Sequence, residues 1–461
     1  MDIVQIINDI DAFVWGPPMI VLLLGSHVYL TFRTRFVQRK LPTAIKLSVT
    51  KDPDAPGDIS QFGALTTALS ATIGTGNIVG VATAILAGGP GAVLWMWLTG
   101  VFGMATKYSE TFAAVKYRVR DHKGDMLGGA MYAWRRGFEK DGRVPWWAAL
   151  GAGAFALFAG IASFGIGSAV QSSAMTGIIL SNAPGIPAWG IGLAIAIMVS
   201  AVIFGGVKVI SKVCEKLVPF MAIAYAWGCI VIIGMNWEHV RPAICLIFEC
   251  AFTPKAAFGG AVGSGIMMAL QFGCARGLFS NESGLGTAPI AAATAQTKNP
   301  VRQALVSMTG TFWDTVIVCA MTGIVVVSSM VKQPQLYQGA SDDAMTRLAF
   351  ANLPAGQIVL ALALSVFAFT TILGWSYYGE RCVEYLFGPK GIPVYRLVFL
   401  VVLFIGAVAN LELVWSFADL MNGLMAFPNL LSVLLLSGVI VAETRHYLWE
   451  NRLDEQAETL D

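Results

Sequence analysis

The sequence predicts an all-α polytopic membrane protein of about eleven membrane-spanning helices, ten of them forming two inverted halves of five. Three observations predict it. Of the 461 residues, 56% are hydrophobic and only 13% charged, with a mean hydropathy of +0.67; a soluble domain carries about 25% charge. Lys and Arg crowd into alternate loops between the apolar runs. Each half opens with an apolar segment interrupted by glycines.

The apolar segments run 13–32, 61–87, 91–116, 146–182, 187–205, 217–235, 258–297, 304–331, 355–386, 393–411 and 414–443. Each is near or above the roughly 20 residues a helix needs to cross a bilayer. Met1–Phe13 holds three Asp and no Lys or Arg, so it lacks the basic start of a signal peptide. Residues 1–60 then form a peripheral first helix and a basic loop. Between Asp58 and Lys107 no side chain is charged, and Gly74-Thr75-Gly76-Asn77 falls mid-span. These are poor helix formers, at a depth where lipid offers backbone groups no partner. Such a break survives only beside a polar cavity, as in the discontinuous helices of many secondary transporters. Segment 146–182 is too long for one straight span and is expected to tilt or break near Gly160–Gly167. Segment 258–297 is expected to break within Ala275–Gly286, centred on Gly277–Asn281. The last segment contains Pro428, which kinks or divides it.

The basic residues set the orientation. Twenty-four of the 30 Lys and Arg residues lie on one side, in the loops holding Arg33–Lys51, Lys116–Arg143, Lys208–Lys216, Lys298–Arg302 and Arg381–Arg396 and in the tail after Thr444. Only Arg241, Lys255, Lys332 and Arg347 lie opposite. The N-terminus is therefore expected outside and the C-terminus inside, with residues 444–461 a cytoplasmic tail. Removing the first span leaves five spans in 61–236 and five in 258–443. An odd number per half turns the halves upside down relative to each other. Phe62-Gly63-Ala64 opens the first half and Phe258-Gly259-Gly260 the second. Paired interruptions at matching positions point to a site at mid-depth, whereas scattered glycines such as Gly151, Gly153 and Gly190 suit close helix packing.

Composition also excludes. A net charge of +2 argues against a nucleic-acid partner. The seven cysteines are scattered; only Cys245 and Cys250 are near each other, and no Cys/His spacing suits a metal. His27, His122, His239 and His446 are too dispersed for a membrane-embedded enzyme, so no catalytic residue is expected. A channel would need a ring of repeated polar residues, which two unlike breaks do not supply.

The run Gly88-Gly89-Pro90-Gly91-Ala92-Val93-Leu94-Trp95-Met96-Trp97-Leu98-Thr99-Gly100 resembles the signature of the sodium:alanine (alanine or glycine:cation) symporter family, with Leu94 where Phe is usual. Ala71-Thr72-Ile73-Gly74-Thr75-Gly76-Asn77-Ile78 and Arg276-Gly277-Leu278-Phe279-Ser280-Asn281-Glu282-Ser283-Gly284 are similar to its other motifs. The resemblance spans about Asp58–Glu443. It implies a LeuT-type fold, a place in a bacterial or archaeal cytoplasmic membrane, small neutral amino acids (alanine, glycine) as cargo, and Na+ as co-transported ion with no other cofactor.

A zwitterion needs a donor pole and an acceptor pole. At the first break the unpaired N–H groups and positive dipole end near Thr75 suit a carboxylate. Gly76 permits close approach and Asn77 adds an amide. At the second, Ser280 and Asn281 read as N-caps with Glu282 in the first turn, and carbonyls before Gly277 suit the ammonium group. Glu282 and Arg276 are expected to pair and hold the break open. Gln171 is either a pocket amide or a helix–helix hydrogen bond, and the resemblance favours the pocket. Trp375 either packs in the core or closes the pocket; the resemblance suggests closure. For Na+, which wants oxygens, the hydroxyls of Thr370 and Thr371 join the carbonyls of Ser70 and Ile73 by carry-over from the LeuT-like arrangement, unless the threonines bond back to their own helix. A second ion near Thr72 and Asn77 is conceivable. Asp314 and Asp419, lone acids away from either break, are the candidates if protons replace sodium. Lys107 with Glu110 reads as a structural pair, Glu380, Arg381 and Glu384 as a gate or anchor network, and His27 as facing a neighbouring helix.

Overall fold

A computed structural model describes residues 3–183, 185–253, 265–409 and 412–457. The chain is almost entirely helical. It begins with α1 (Ile3–Val14) and α2 (Pro17–Arg33), earlier than the expected Phe13, followed by the short α3 (Leu41–Ser48). The first half comprises α4 (Gln61–Thr72) and α5 (Val79–Gly88) around the break, α6 (Ala92–Lys116), a short loop helix α7 (Ala130–Gly137), α8 (Trp146–Phe164) and α9 (Val170–Asn182), α10 (Ala188–Ile203) and α11 (Gly206–Met235). A two-strand hairpin, β1 (Val119–Arg120) with β2 (Met126–Leu127), fills the loop before α7. A connecting helix α12 (Trp237–Phe252) leads to the second half: α13 (Ile266–Asn281), α14 (Ala288–Ala292), α15 (Pro300–Thr311), α16 (Ala320–Lys332), α17 (Asp342–Ala351), α18 (Gly356–Phe387), α19 (Gly391–Val408) and α20 (Glu412–Leu435), then α21 (Ser437–Thr444).

Among the described residues, seven helical runs are long and apolar enough to cross a membrane: 5–33, 146–182, 206–235, 300–332, 356–387, 391–408 and 416–435. The other expected spans are the two interrupted pairs, the 16-residue α10, and α6, whose apolar run is broken by Lys107 and Glu110. Run 146–182 is not cut; a π turn at Gly165–Ala169 joins α8 to α9. The last expected span is indeed two pieces, but the division is at Leu436 and α20 runs through Pro428. The Phe258–Gly260 opening and Lys255 lie outside the described residues. Cys245 and Cys250 both lie on α12 and form no disulfide with each other.

Two helix groups pack around the middle. One unites α5, α6, α13 and α15; the other unites α8, α9, α18 and α19, with α10 against α19. Small residues let the first group close: a Cβ on Gly273 would stand 2.4 Å from the Ala92 carbonyl oxygen, and one on Gly277 2.4 Å from Thr99 Oγ1. Without a hydrophobic drive between helices in lipid, such close backbone contact is what holds them.

The end where α4 begins is tied together by polar contacts. Ser60 caps α4 through Gly63 N (2.9 Å), and Ile59 forms a parallel bridge with Ala295. Arg118 donates to the carbonyls of Ala293, Ala295 and Pro56 at 2.8–2.9 Å; burial presses its guanidinium down to about 10, partly offset by Asp58. The buried Arg302 holds Asp52 with two donors at 3.0 and 3.1 Å and reaches the exposed Asp454 of the tail at 2.7 Å.

Candidate functional site

The first interruption forms where expected. α4 ends at Thr72, Ile73 turns to extended backbone, and Thr75–Asn77 make one tight 3-10 turn before α5. Gly76 approaches α13 so closely that a Cβ there would touch Phe279 at 3.4 Å. Asn77 holds the break rather than facing a cavity. Its Oδ1 takes the Gly74 N–H (2.8 Å) and its Nδ2 donates to Asp314 Oδ1 (2.7 Å).

The second interruption falls within the expected Ala275–Gly286 but beyond Gly277–Asn281. α13 is continuous through Gly277, Ser280 and Asn281, so their backbone groups serve the helix and the carbonyls before Gly277 are not free acceptors. Glu282 ends the helix in a left-handed conformation (φ 53°), and Gly284 and Gly286 at φ 95° and 81° carry the bridge to α14. Asn281 is thus the last helical residue, its Oδ1 taking the Ser283 N–H at 2.8 Å, and Glu282 is a C-cap, not a first-turn acid. Gly277 serves the packing on Thr99 and Met96 instead of a substrate. Nor does Arg276 pair with Glu282; it lies over the Phe279 ring at 5.9 Å.

What holds the bridge comes from α6 and α20. Lys107 and Glu110 pair at 3.0 Å, fully buried. Lys107 Nζ also donates to the Glu282 carbonyl (2.8 Å), while Glu110 accepts from Gly284 N (3.1 Å) and Asn429 Nδ2 (2.8 Å). Asn429 donates to the Gly284 carbonyl as well (2.9 Å). Buried charges in a membrane need such partners, and here the pairing shapes an irregular backbone.

Between the breaks a cavity of about 20 Å³ is left, about enough for one water, so entry of any amino acid requires its wall to move. Thr72, Gly74, Thr75 and Gly76 of the first break line it, with Ile166 and Gln171 opposite, Thr371 and Trp375 of α18, Phe279 and Glu282 of α13, and Asn422 of α20. Gln171 lines the cavity; its Nε2 donates to the Ile166 carbonyl of its own helical run at the π turn (3.1 Å), and its Oε1 faces Thr75 Oγ1 of the first break (3.5 Å). Trp375 is 2% exposed and is seated by Gly167, where a Cβ would come within 2.3 Å of it.

Of the four residues expected around sodium, two meet, and Ile73 marks where the helix unwinds beside them. Thr371 Oγ1 lies 3.1 Å from the Ser70 carbonyl oxygen, as the helix unwinds at Ile73, and 2.7 Å from where a Gly74 Cβ would stand. Thr370 does not join. Its hydroxyl donates to Val366 and Phe367 carbonyls of its own helix and faces Met221, because adjacent residues point about 100° apart on a helix.

Asn77, Ser280 and Asn281 do not line the cavity. The first two meet behind it on Asp314, which is buried on a π turn (Phe312–Cys319) joining α15 to α16. Ser280 Oγ donates to Oδ2 at 3.0 Å and Thr315 Oγ1 at 2.6 Å. Asp314 therefore sits on a π turn of its own and ties Asn77 of the first break to Ser280 of α13. Asp419 does not: Trp15 Nε1 reaches its carbonyl at 3.2 Å, beside α1. The Glu380–Arg381–Glu384 network exists and includes Arg396, and His27 meets Thr106 Oγ1 at 2.7 Å.

Sequence reasoning missed Asn422, Phe279 and Ile166. Asn422 had a signal, an amide in an apolar run; the other two are apolar and had none.

The sequence profile of the sodium:alanine symporter family matches residues 1–460. The chain is 49% identical over 451 residues to the sodium/alanine symporter AgcS of Methanococcus maripaludis, covering 97% of this chain and 98% of that one. It is 51% identical over 453 residues to an uncharacterised transporter of Haemophilus influenzae, covering 97% and 96%. Among solved structures, a Na+-coupled sialic acid symporter in a substrate-bound outward-open state superposes with a TM-score of 0.55 at 13% identity, over 92% of this chain and 87% of that one. At that identity the likeness speaks for the fold alone, which is LeuT-type.

Proposed function

The chain belongs to the sodium:alanine symporter family, a membrane-embedded set of sodium-coupled amino-acid symporters, and from that premise we propose that its own cargo is alanine and glycine, carried by alternating access between the two helix groups. The observation that carries the reading is the cavity itself: unwound backbone at Gly74–Gly76, closed by Trp375 and Gln171, with Thr371 against the Ser70 carbonyl at 3.1 Å.

In this reading the free amides of Thr75 and Gly76 take the carboxylate, at a helix start where anions are favoured. Gln171 fixes Thr75, and Trp375 covers the small side chain. Na+ takes the carbonyls of Ser70 and Ile73 and the Thr371 hydroxyl, on the same unwound turn. Cargo and ion then stabilise one conformation jointly, which is the reciprocal linkage that tight coupling requires. One charge moving down 100 mV yields about 2.3 kcal/mol and a tenfold sodium gradient about 1.4 kcal/mol, together enough for several-hundredfold accumulation. The N-terminus lies outside and the tail inside, by the basic-residue count.

A proton in place of Na+ is the second reading, favoured by Asp314, a buried carboxylate held by Asn77 of the first break and Ser280 of α13. Uptake of radiolabelled amino acids by vesicles containing the protein, with and without a sodium gradient, tests the proposal. Alanine and glycine are expected to accumulate; leucine outrunning alanine would overturn the cargo.

A further inference from the structure

We propose that Glu282 and Asn422 form the pole of the cavity that takes the cargo's ammonium group. The inference rests on the amino-acid reading and names a contact that reading left open. The carbonyls that would have served, those before Gly277, are engaged in a continuous helix. The acceptors must come from elsewhere on the wall, and two are present.

Glu282 is 2% exposed and lines the cavity. Its Oε2 takes the Thr287 hydroxyl at 2.6 Å, and its backbone carbonyl is held by Lys107. The Lys107 charge is paired with Glu110 at 3.0 Å. Among the described residues no donor reaches the other Glu282 oxygen. The conformation is over-determined: a non-glycine residue at φ 53° is uncommon and clusters where function demands it.

Asn422 is the independent observation. It is 1% exposed, lines the same cavity, and its amide oxygen is buried with no hydrogen-bond partner. A buried acceptor without a donor costs about 1–3 kcal/mol, so one persisting at a cavity wall points to a ligand that supplies the donor. An ammonium group carries three donors and can satisfy both acceptors at once. Across the cavity the free N–H groups of Thr75 and Gly76 at the start of the 3-10 turn are donors. The first break thus offers backbone donors, while the Glu282 carboxylate and the unpartnered Asn422 oxygen stand on α13 and α20. That arrangement matches a zwitterion in one orientation and leaves nothing for a monocarboxylate's far end to bond as a cation.

The test is alanine binding to the purified full chain in saturating NaCl, with sodium-induced thermal stabilisation as a check on the fold and the ion site. Glu282→Gln keeps an acceptor and removes the charge; it is expected to weaken alanine binding about ten- to hundredfold, the range of a charged hydrogen bond, with the sodium response unchanged. Asn422→Leu, which leaves the bridge untouched, is expected to weaken it about three- to tenfold. Glu282→Gln combined with Asn422→Asp moves the carboxylate across the pole and is expected to regain most of the loss. Should Glu282→Gln not fold, Asn422→Leu decides alone. Binding within twofold of the parent in the folded variants overturns the proposal. A parent chain that binds no neutral amino acid would instead refute the cargo reading beneath it.

Discussion

Replacing Asn77 by Ala removes the pin of the first break. The side chain satisfies the Gly74 N–H at 2.8 Å and donates to the Asp314 carboxylate at 2.7 Å. Losing a hydrogen bond to a charged group costs about 1.5–3 kcal/mol, and an orphaned buried amide about 1–3 kcal/mol more. The sum, about 3–6 kcal/mol, falls on the shape of the unwound turn rather than on distant packing. A shift of even about 2.7 kcal/mol leaves one molecule in a hundred with the competent arrangement. The assay is initial sodium-driven alanine uptake in vesicles, paired with thermal unfolding in detergent. Uptake is expected to fall at least a hundredfold, and the unfolding temperature to drop. Adding Asp314→Ala should cost less than the sum of the two single changes, because the partner is already lost; coupling of about 1.5–3 kcal/mol is expected. Near-normal uptake with an unchanged unfolding temperature would refute the reasoning.

Three further outcomes follow from the packing. Thr371→Ala removes the hydroxyl at the Ser70 carbonyl and should raise the sodium concentration for half-maximal uptake severalfold, whereas Thr370→Ala, whose hydroxyl bonds only its own helix and Met221, should leave it within twofold; sodium titrations of uptake decide. Gly277→Ala places a Cβ 2.4 Å from Thr99 Oγ1 and should destabilise by about 1–3 kcal/mol, with relief when Thr99→Ala is added, read by thermal unfolding. Arg302→Ala leaves the buried Asp52 carboxylate without its cation, with the Gln61 amide still donating at 2.7 Å, and should cost about 3–5 kcal/mol, while Asp454→Ala, losing a partner that is 89% exposed, should cost about 0–1 kcal/mol.

The first break was legible because Gly74-Thr75-Gly76-Asn77 combines poor helix formers with an amide, and no apolar tertiary contact can rescue unpaired backbone in lipid. The second was read about five residues early. Ser280 and Asn281 suit an N-cap, but the same short polar side chains occur at helix C-termini, and it is the positive φ of Glu282, Gly284 and Gly286 that marks the turn. Gly277 misled because a glycine for packing and a glycine for unwinding look alike in one dimension; only the nearness of Thr99 distinguishes them. Asp314 was undervalued since a π turn has no composition of its own, and its partners lie in two other segments. The threonine pair shows a simpler limit: adjacency in sequence separates side chains by about 100° on a helix, so only one of Thr370 and Thr371 can face the break.

The central claim is that a sodium ion and a neutral amino acid bind together at the first break. Alanine uptake by vesicles with sodium replaced by choline at fixed pH tests it most directly. Accumulation should vanish in choline and return with sodium; accumulation that persists in choline and follows an imposed pH gradient would contradict the account and assign the coupling to Asp314.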